Sequence, residues 1–124
     1  GRANGVLLAI ETGQVTGYAL DGLTDRGVLF VGPGVQVYAG QIVGEHNREN
    51  DLEVNVCRAK KMTNIRAASS DKTVVLKPPR EMTLELALEF IEDDELVECT
   101  PDGVRLRKRL LTEQNRRRAA RANA

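Results

Sequence analysis

The residues of this sequence best suited to chemistry are cations, and the densest group begins at residue 60. Residues 60–80 read KKMTNIRAASSDKTVVLKPPR and contain six Lys or Arg residues against a single acid, Asp71. The first half of this stretch has no apolar periodicity and no Gly or Pro, which predicts a long basic loop over residues 60–72. Cations on such a loop can bind phosphates, and hydroxyl and amide groups can bind sugar or phosphate oxygens. The predicted contacts are Lys60, Lys61, Arg66 and Lys72, together with the neutral Thr63, Asn64 and Ser70.

A second cationic group lies near the C-terminal end of the sequence. Side chains alternate along a strand, so Arg105, Arg107 and Arg109 are predicted to share one face, where three guanidiniums in a row suit a phosphate backbone. The predicted RNA contacts in this group are Arg105, Arg107, Lys108 and Arg109. Cross-strand pairing with Glu95 and Glu98 explains the row equally well, and the two interpretations are compatible.

The charge of the sequence is arranged in blocks, although the formal net charge is zero. Residues 60–80 carry six basic groups and one acid, residues 81–103 carry nine acids and no base, and residues 104–124 carry eight basic groups and one acid. Such asymmetry predicts basic surfaces that meet a polyanion and an acidic element that restricts where they meet it. The alternative is that solvated charges cluster without a partner.

Short apolar runs separated by glycines predict an α+β, β-rich fold whose body is a small curled sheet or barrel-like arrangement of short strands. The length of 124 residues predicts a single domain, 1–124. Val6–Ile10 and Val15–Leu20 are predicted to pair as a hairpin. The other predicted strands are Val28–Val31, Val35–Tyr38, Gln41–Gly44, Leu52–Cys57 and Thr73–Leu76.

One amphipathic helix is predicted over about residues 83–92, with Thr83 as its N-cap. Apolar side chains recur there at helical spacing, which predicts that the helix packs into the body along most of its length. These side chains are Leu84, Ala87, Leu88 and Ile91, and Leu86 and Phe90 widen the stripe.

Two further elements are predicted at the C-terminal end. Pro101-Asp102-Gly103 is a turn signal, because Pro presets the first turn dihedral and Gly accepts a positive φ, and it predicts a hairpin over residues 96–110. Residues 111–124 contain helix formers but almost no apolar stripe. They are expected to be a marginal basic tail, helical only on a partner.

The sequence assigns no residue a catalytic or metal-binding role. A GTPase needs a phosphate loop of the form GxxxxGK(S/T), and the sequence contains none. His46 is the only histidine, and a loop histidine near solvated carboxylates is more often structural than catalytic. The acids from Glu92 to Glu95 lack calcium-loop spacing and are interpreted as a solvated face. With no membrane-spanning run and no signal segment, a cytoplasmic protein is expected.

Several extended motifs resemble a known family. They include Gly32-Pro33-Gly34, Ile42-Val43-Gly44-Glu45-His46, Asn50-Asp51-Leu52, Lys61, Thr63-Asn64, Arg66-Ala67, Asp71, Pro78-Pro79-Arg80, Met82-Thr83-Leu84-Glu85 and Arg105-Leu106-Arg107-Lys108-Arg109. On these residues, essentially the whole chain resembles the C-terminal domain of the BipA or TypA family of ribosome-associated translational GTPases. Ser69-Ser70, Lys72 and Leu86 depart from the family pattern, which commonly has Gly-Thr, an acid and a polar residue there.

The resemblance implies a role in large-subunit assembly and in stress-adapted translation. It implies that loop 60–72, with Asp71 among its contact residues, lies near the peptidyl transferase centre and the acceptor end of A-site tRNA. The implied partners are large-subunit rRNA and that tRNA. The resemblance also implies that the domain is a monomer and does not bind a membrane. No cofactor is implied for this domain, whereas the full-length family binds GTP and Mg.

Two alternatives from other classes remain open on the residues themselves. The acidic helix end, Glu92 to Glu95, could dock a basic ribosomal protein, which makes the domain a protein–protein module. A nuclease or hydrolase centred on His46 is the third hypothesis, and it requires metal-dependent activity of the isolated domain.

Overall fold

The computed structural model describes residues 1–59 and 76–123, and within those ranges the chain forms eight short strands and three helices. The strands are β1 (Val6–Ala9), β2 (Gly13–Gln14), β3 (Gly27–Leu29), β4 (Gln36–Val37), β5 (Gln41–His46), β6 (Leu52–Val54), β7 (Glu95–Thr100) and β8 (Gly103–Lys108). The helices are α1 (Gly17–Asp21), α2 (Leu84–Phe90) and α3 (Glu113–Ala122). The predicted α+β, β-rich class is confirmed. None of these three helices is long and apolar enough to cross a membrane.

The main sheet is built on β5, which pairs antiparallel with β1, β3 and β8. Strand β6 extends the sheet parallel to β1, and β7 extends it antiparallel to β8, so the main order is β6-β1-β5-β8-β7. Strands β2 and β4 form a separate antiparallel pair. Because three strands bond to β5, five of its six residues are buried.

Hydrophobic side chains pack on both faces of the main sheet. Leu7 and Ala9 of β1 belong to one buried cluster, and Val6 and Leu8 of the same strand belong to the other. Leu20 of α1 lies in the first cluster. The second cluster contains Ala87 and Phe90 of α2, together with Ile42 and Leu106. Strand β1 is therefore buried on both sides, which accounts for its uninterrupted apolar sequence.

The predicted hairpin between Val6–Ile10 and Val15–Leu20 is wrong. The first segment is a strand, but it pairs with β5 and β6, which lie far away in sequence. The second segment turns into α1, because the Thr16 side chain accepts a hydrogen bond from the Ala19 N–H at 3.1 Å and caps the helix.

The C-terminal hairpin is present as predicted. Strands β7 and β8 pair from Glu95 opposite Lys108 to Thr100 opposite Gly103, so Pro101 and Asp102 form the turn. Gly103 has a φ of +138°, which a residue with a Cβ rarely adopts. The predicted strands near residues 28, 36, 41 and 52 are also present, whereas most of Thr73–Leu76 lies outside the described residues.

Helix α2 is capped as predicted, but only part of the predicted stripe is buried. The Thr83 side chain accepts from the Leu86 N–H at 3.2 Å. Ala87 and Phe90 are the buried residues of the helix, whereas Leu84 is 42% exposed and Leu88 is 59% exposed. The ring of Phe90 sets this orientation, because it packs edge-on against Phe30 at 5.5 Å between centroids and lies under the guanidinium of Arg2. The expectation of packing along most of the helix is therefore wrong.

Two substitutions on α2 test this assignment of faces. Phe90→Ala should lower the free energy of unfolding by about 3–5 kcal/mol, because it opens a cavity beside Phe30. Leu88→Ala should change it by no more than about 0.5 kcal/mol, because the side chain is largely in solvent. Urea denaturation of both variants measures the difference, and equal midpoint shifts would contradict the packing described.

Candidate nucleic-acid interface

Strand β8 separates its cations by strict alternation. Leu106 and Lys108 are buried, whereas Arg105 and the following Arg109 are exposed and Arg107 is half-buried. The side chains of Arg105 and Arg107 keep 42% and 22% of their surface in solvent. Three guanidiniums therefore follow one another along one face of the hairpin as predicted, and we call Arg105, Arg107 and Arg109 the arginine row.

The arginine row is paired with one carboxylate of the neighbouring strand. Glu98 lies 3.8 Å from Arg105 Nε and 3.8 Å from Arg107 Nη1. The hydroxyl of Tyr38 donates to the same carboxylate, and the Tyr38 ring lies 5.4 Å from the guanidinium carbon of Arg105. Burial, and then the hydrogen bond to Glu98, raises the pKa of Tyr38 to about 12. Cross-strand pairing is therefore present, but one carboxylate is shared by Arg105 and Arg107, so the row keeps a net positive charge.

Backbone carbonyls hold two of the three guanidiniums in place. Arg107 donates to the carbonyls of Lys108 and Arg109, each at 3.0 Å, and Arg109 Nε donates to the carbonyl of Asp93 at 2.8 Å. These contacts use some of the five N–H donors of each guanidinium without neutralising its charge. The row is thereby oriented while it remains able to bind anions.

Lys108 is not part of the exposed row, which corrects its prediction as an RNA contact. Its side chain is 3% exposed, and Nζ lies 2.8 Å from Asp51, 2.8 Å from Asp94 and 2.7 Å from Glu95. Burial opposes the charged form, but the hydrogen bonds to these three carboxylates outweigh it and raise the pKa of Lys108. The acids have ligand atoms within 4.8 Å of one another, as in a metal site. The ammonium of Lys108 occupies the position between the three carboxylates that a metal ion would need.

Glu95 is likewise buried, which corrects its interpretation as part of a solvated acidic face over Glu92 to Glu95, whereas Asp93 and Asp94 are exposed. Its side chain has no exposed surface and binds both Nη groups of Arg2, with Nη2 at 2.5 Å from Oε2. Burial raises the pKa of a carboxyl group, but the hydrogen bonds from Arg2 and Lys108 outweigh it and lower the pKa of Glu95. We call Arg2, Asp51, Asp94, Glu95 and Lys108 the buried ion cluster, in which Arg2, Glu95 and Lys108 are buried while Asp51 and Asp94 keep 36% and 66% of their side-chain surface in solvent.

The basic tail forms helix α3 in the structure. Thr112 caps α3 by accepting from the Asn115 N–H at 3.1 Å. Arg116 joins the helix to the body, because it donates to the carbonyls of Leu110 and Leu111 and lies 2.5 Å from Glu53. This polar docking replaces the apolar stripe that the sequence lacks. The remaining arginines of α3 are exposed, namely Arg117, Arg118 and Arg121.

The predicted loop contacts from Lys60 to Lys72 lie outside the described residues, but both flanks of that segment lie beside α1. Thr16 donates from its N–H to the Val56 carbonyl at 3.0 Å and from its hydroxyl to the Arg58 carbonyl at 2.6 Å. On the other side, Leu76 Cδ1 lies 4.0 Å from where a Gly17 Cβ would be. The chain therefore enters and leaves the segment at one corner of the body.

Arg80 ties the second flank to the sheet. Its N–H donates to the Leu29 carbonyl at 2.8 Å, its guanidinium lies 2.7 Å from Glu45, and it stacks at 5.7 Å from the Phe30 ring. This cation serves the fold, with its side chain 41% exposed.

His46 is a structural residue. It is 3% exposed, and its Nδ1 lies 2.5 Å from the Asn50 carbonyl oxygen, within the turn that precedes β6. Burial and a backbone partner leave this imidazole no access to a substrate.

An α+β, β-rich domain with a solvent-facing arginine row is the class of protein that the structure defines. Residues 4–113 match the family model described as TypA/BipA C-terminal domain, and the chain belongs to this family. It is 60% identical over 121 residues to the large ribosomal subunit assembly factor BipA of Escherichia coli strain K12, which covers 98% of this chain and 20% of that protein. The Bacillus subtilis strain 168 protein of the same name is 51% identical over 120 residues, with 97% and 20% covered. The chain thus spans about a fifth of the length of these relatives.

Sequence reasoning missed three residues that shape the site. Tyr38 and Arg116 carried a weak signal, since a lone tyrosine before a strand and a cation in a basic tail fit many roles. Arg2 carried none, because its partner Glu95 is 93 residues away.

The buried ion cluster predicts a defined response to acid. Because the pKa of Glu95 lies below its usual 4.5, its contribution to stability is full above that value and is lost as the pH falls through the folded-state pKa. Glu95→Gln should cost about 3–5 kcal/mol at pH 7, because Arg2 and Lys108 lose their shared counter-charge, and should flatten the acid dependence.

Urea denaturation between pH 7 and pH 2 measures both effects. The matched control is Glu49→Gln, which removes the same charge from an exposed position. Equal stabilities of Glu95→Gln and Glu49→Gln at pH 7 would contradict the role given to the cluster.

Proposed function

We propose that this chain is the ribosome-binding domain of a GTP-dependent factor that acts in large-subunit assembly and stress-adapted translation. The observation that carries the proposal is the arginine row, three cations oriented by their neighbours, of which Arg105 and Arg107 share the carboxylate of Glu98. The relatives at 51–60% identity are named as large ribosomal subunit assembly factors, which supports the ribosome as the partner. On this proposal the domain acts in the cytoplasm as a monomer.

Loop 60–72 is the second proposed contact and the one placed near the peptidyl transferase centre and the A-site tRNA acceptor end. Its four cations would bind phosphates, and Thr63, Asn64, Ser70 and Asp71 would fix its geometry. The anchoring of both flanks at the Thr16–Gly17 corner supports this proposal, because both flanks are held at one place on the body.

Binding on this proposal rests on phosphates more than on bases. The sequence has only two tyrosines, two phenylalanines and no tryptophan. Of these, Phe30 and Phe90 pack against each other and Tyr38 is held against Glu98 and Arg105. Affinity that comes from phosphate contacts falls steeply with salt, by roughly 0.7–0.9 log units per contact for each log unit of salt.

GTP and Mg are proposed for other parts of the complete protein. This chain contains no phosphate-loop sequence, and the matched model describes a C-terminal domain. The role proposed for the domain in GTP-dependent action is to place the factor on the large subunit.

Ribosome co-sedimentation across a salt series tests the two proposed contacts separately. Arg105→Ala/Arg107→Ala/Arg109→Ala and Lys60→Ala/Lys61→Ala/Arg66→Ala/Lys72→Ala should each weaken binding of the complete protein. Each contact that is lost should lower the salt slope by about one unit. Thermal unfolding should separate lost contacts from lost structure, with the loop variant within about 1 kcal/mol of wild type.

The matched control is Arg26→Ala/Arg48→Ala. Arg26 precedes β3, which pairs with the end of β5 at His46, whereas Arg107 pairs with the other end at Gln41. Unimpaired binding by both multiple variants would overturn the proposed function. Loss with only one of them would assign the contact to that group.

A further inference from the structure

The outer face of α2 carries more exposed leucine than a solvent-facing helix needs. Leu84, Leu86 and Leu88 are 42%, 48% and 59% exposed on a helix of seven residues. The fold does not use these side chains as its core, because Ala87 and Phe90 bury the helix. Leu84 and Leu88 are four residues apart and lie side by side on the helix surface, so they form a short apolar strip.

Carboxylates surround this strip. Glu85 and Glu89 are exposed and lie one residue beyond each leucine of the strip, and Glu81 and Asp93 are exposed near the two ends of the helix. Within residues 1–59 and 76–123, no Lys or Arg lies within 4 Å of the Glu85 or Glu89 carboxylate. The sequence from residue 81 to 103 also contains no basic residue. The surface is therefore apolar at its centre and negative around it.

We propose that this face of α2 docks a basic, amphipathic segment of a protein of the large ribosomal subunit. The proposal rests on the proposed function for the choice of assembly, and on charge complementarity for the chemistry of the partner. A helical segment with apolar residues at i and i+4, flanked by Lys or Arg, would cover Leu84 and Leu88 and place cations over Glu85 and Glu89. RNA is repelled by the carboxylates, and a second copy of this helix would bring like charges together.

The position of α2 allows this contact together with RNA binding. Helix α2 packs on the sheet face that carries Leu106 and Ile42, whereas the arginine row projects from the opposite face of β8. A phosphate backbone and a basic protein segment would thus reach different sides of the domain. The docking patch is small, so it orients the domain while the cationic surfaces supply most of the affinity.

Site-directed photo-crosslinking identifies what covers α2. The complete protein, with benzoylphenylalanine in place of Leu88, is irradiated with purified large ribosomal subunits, and the adduct is mapped by mass spectrometry. The expected product is an adduct with a Lys- or Arg-rich segment of a subunit protein. An adduct with rRNA alone, with a second copy of the chain or with another part of the same chain would overturn the proposal.

Affinity measurements test the same surface independently. Leu84→Ser/Leu88→Ser should weaken binding to the large subunit about tenfold, as expected for loss of an apolar anchor. Glu85→Gln/Glu89→Gln should weaken it less and should reduce the salt dependence. The matched control is Ile10→Ser/Val28→Ser, which changes residues 45% and 42% exposed that are not part of α2 and should have no effect.

The failure of this inference is distinguishable from failure of the proposed function. If wild-type protein binds the subunit through the arginine row but both α2 variants bind like wild type and unfold at the same midpoint, only the α2 proposal falls. If the wild-type protein does not bind the large subunit at all, both fall.

Discussion

The bidentate pairing of Arg2 with the buried carboxylate of Glu95 is the interaction on which the arrangement of the domain depends. The same carboxylate binds Lys108, and Lys108 also binds Asp51 and Asp94. Four separate parts of the chain therefore meet at one point: its first residues, the turn before β6, the start of β7 and the end of β8. Taking the charges of Arg2, Glu95 and Lys108 out of water is costly, and each of the three is tolerated because its partners remain in place. The cluster thus favours one register of the hairpin over its alternatives.

That register decides which cations of β8 can face a partner. In the sequence RLRKR, residues 105–109, the four cations look equivalent, and alternation predicts only that Lys108 faces away from the arginines. Whether the second face is solvent or interior depends on Glu95 and Arg2. Arg2 is remote in sequence, so no local pattern could have assigned Lys108 to the interior. The arginine row was predictable because its three members needed only a strand.

The same distinction between local and long-range interactions explains which other features of the fold could be predicted from the sequence. The Pro101–Gly103 turn and the Thr83 cap were predictable, because each depends on residues within a few positions of one another. The burial of α2 was not, because the helix is oriented by Phe30 and Arg2 around Phe90. Val15–Leu20 was predicted as a strand from its apolar residues alone, whereas the Thr16 cap, which that prediction did not use, determines the structure. A capping residue inside an apolar run therefore merits more weight than the run alone.

The charge blocks of the sequence have a spatial counterpart in the two sides of the C-terminal hairpin. The acidic segment around α2 lies on the Leu106 face, and the arginine row projects from the other, so residues adjacent in sequence present opposite potentials in opposite directions. A domain with net charge zero but such a separation is turned by the field of a polyanion before it makes contact. Acids close to the row are paired with cations of the fold. Glu98 is shared by Arg105 and Arg107, and Lys108 binds Asp94 and Glu95. The buried cluster therefore serves the proposed interface as well as the fold.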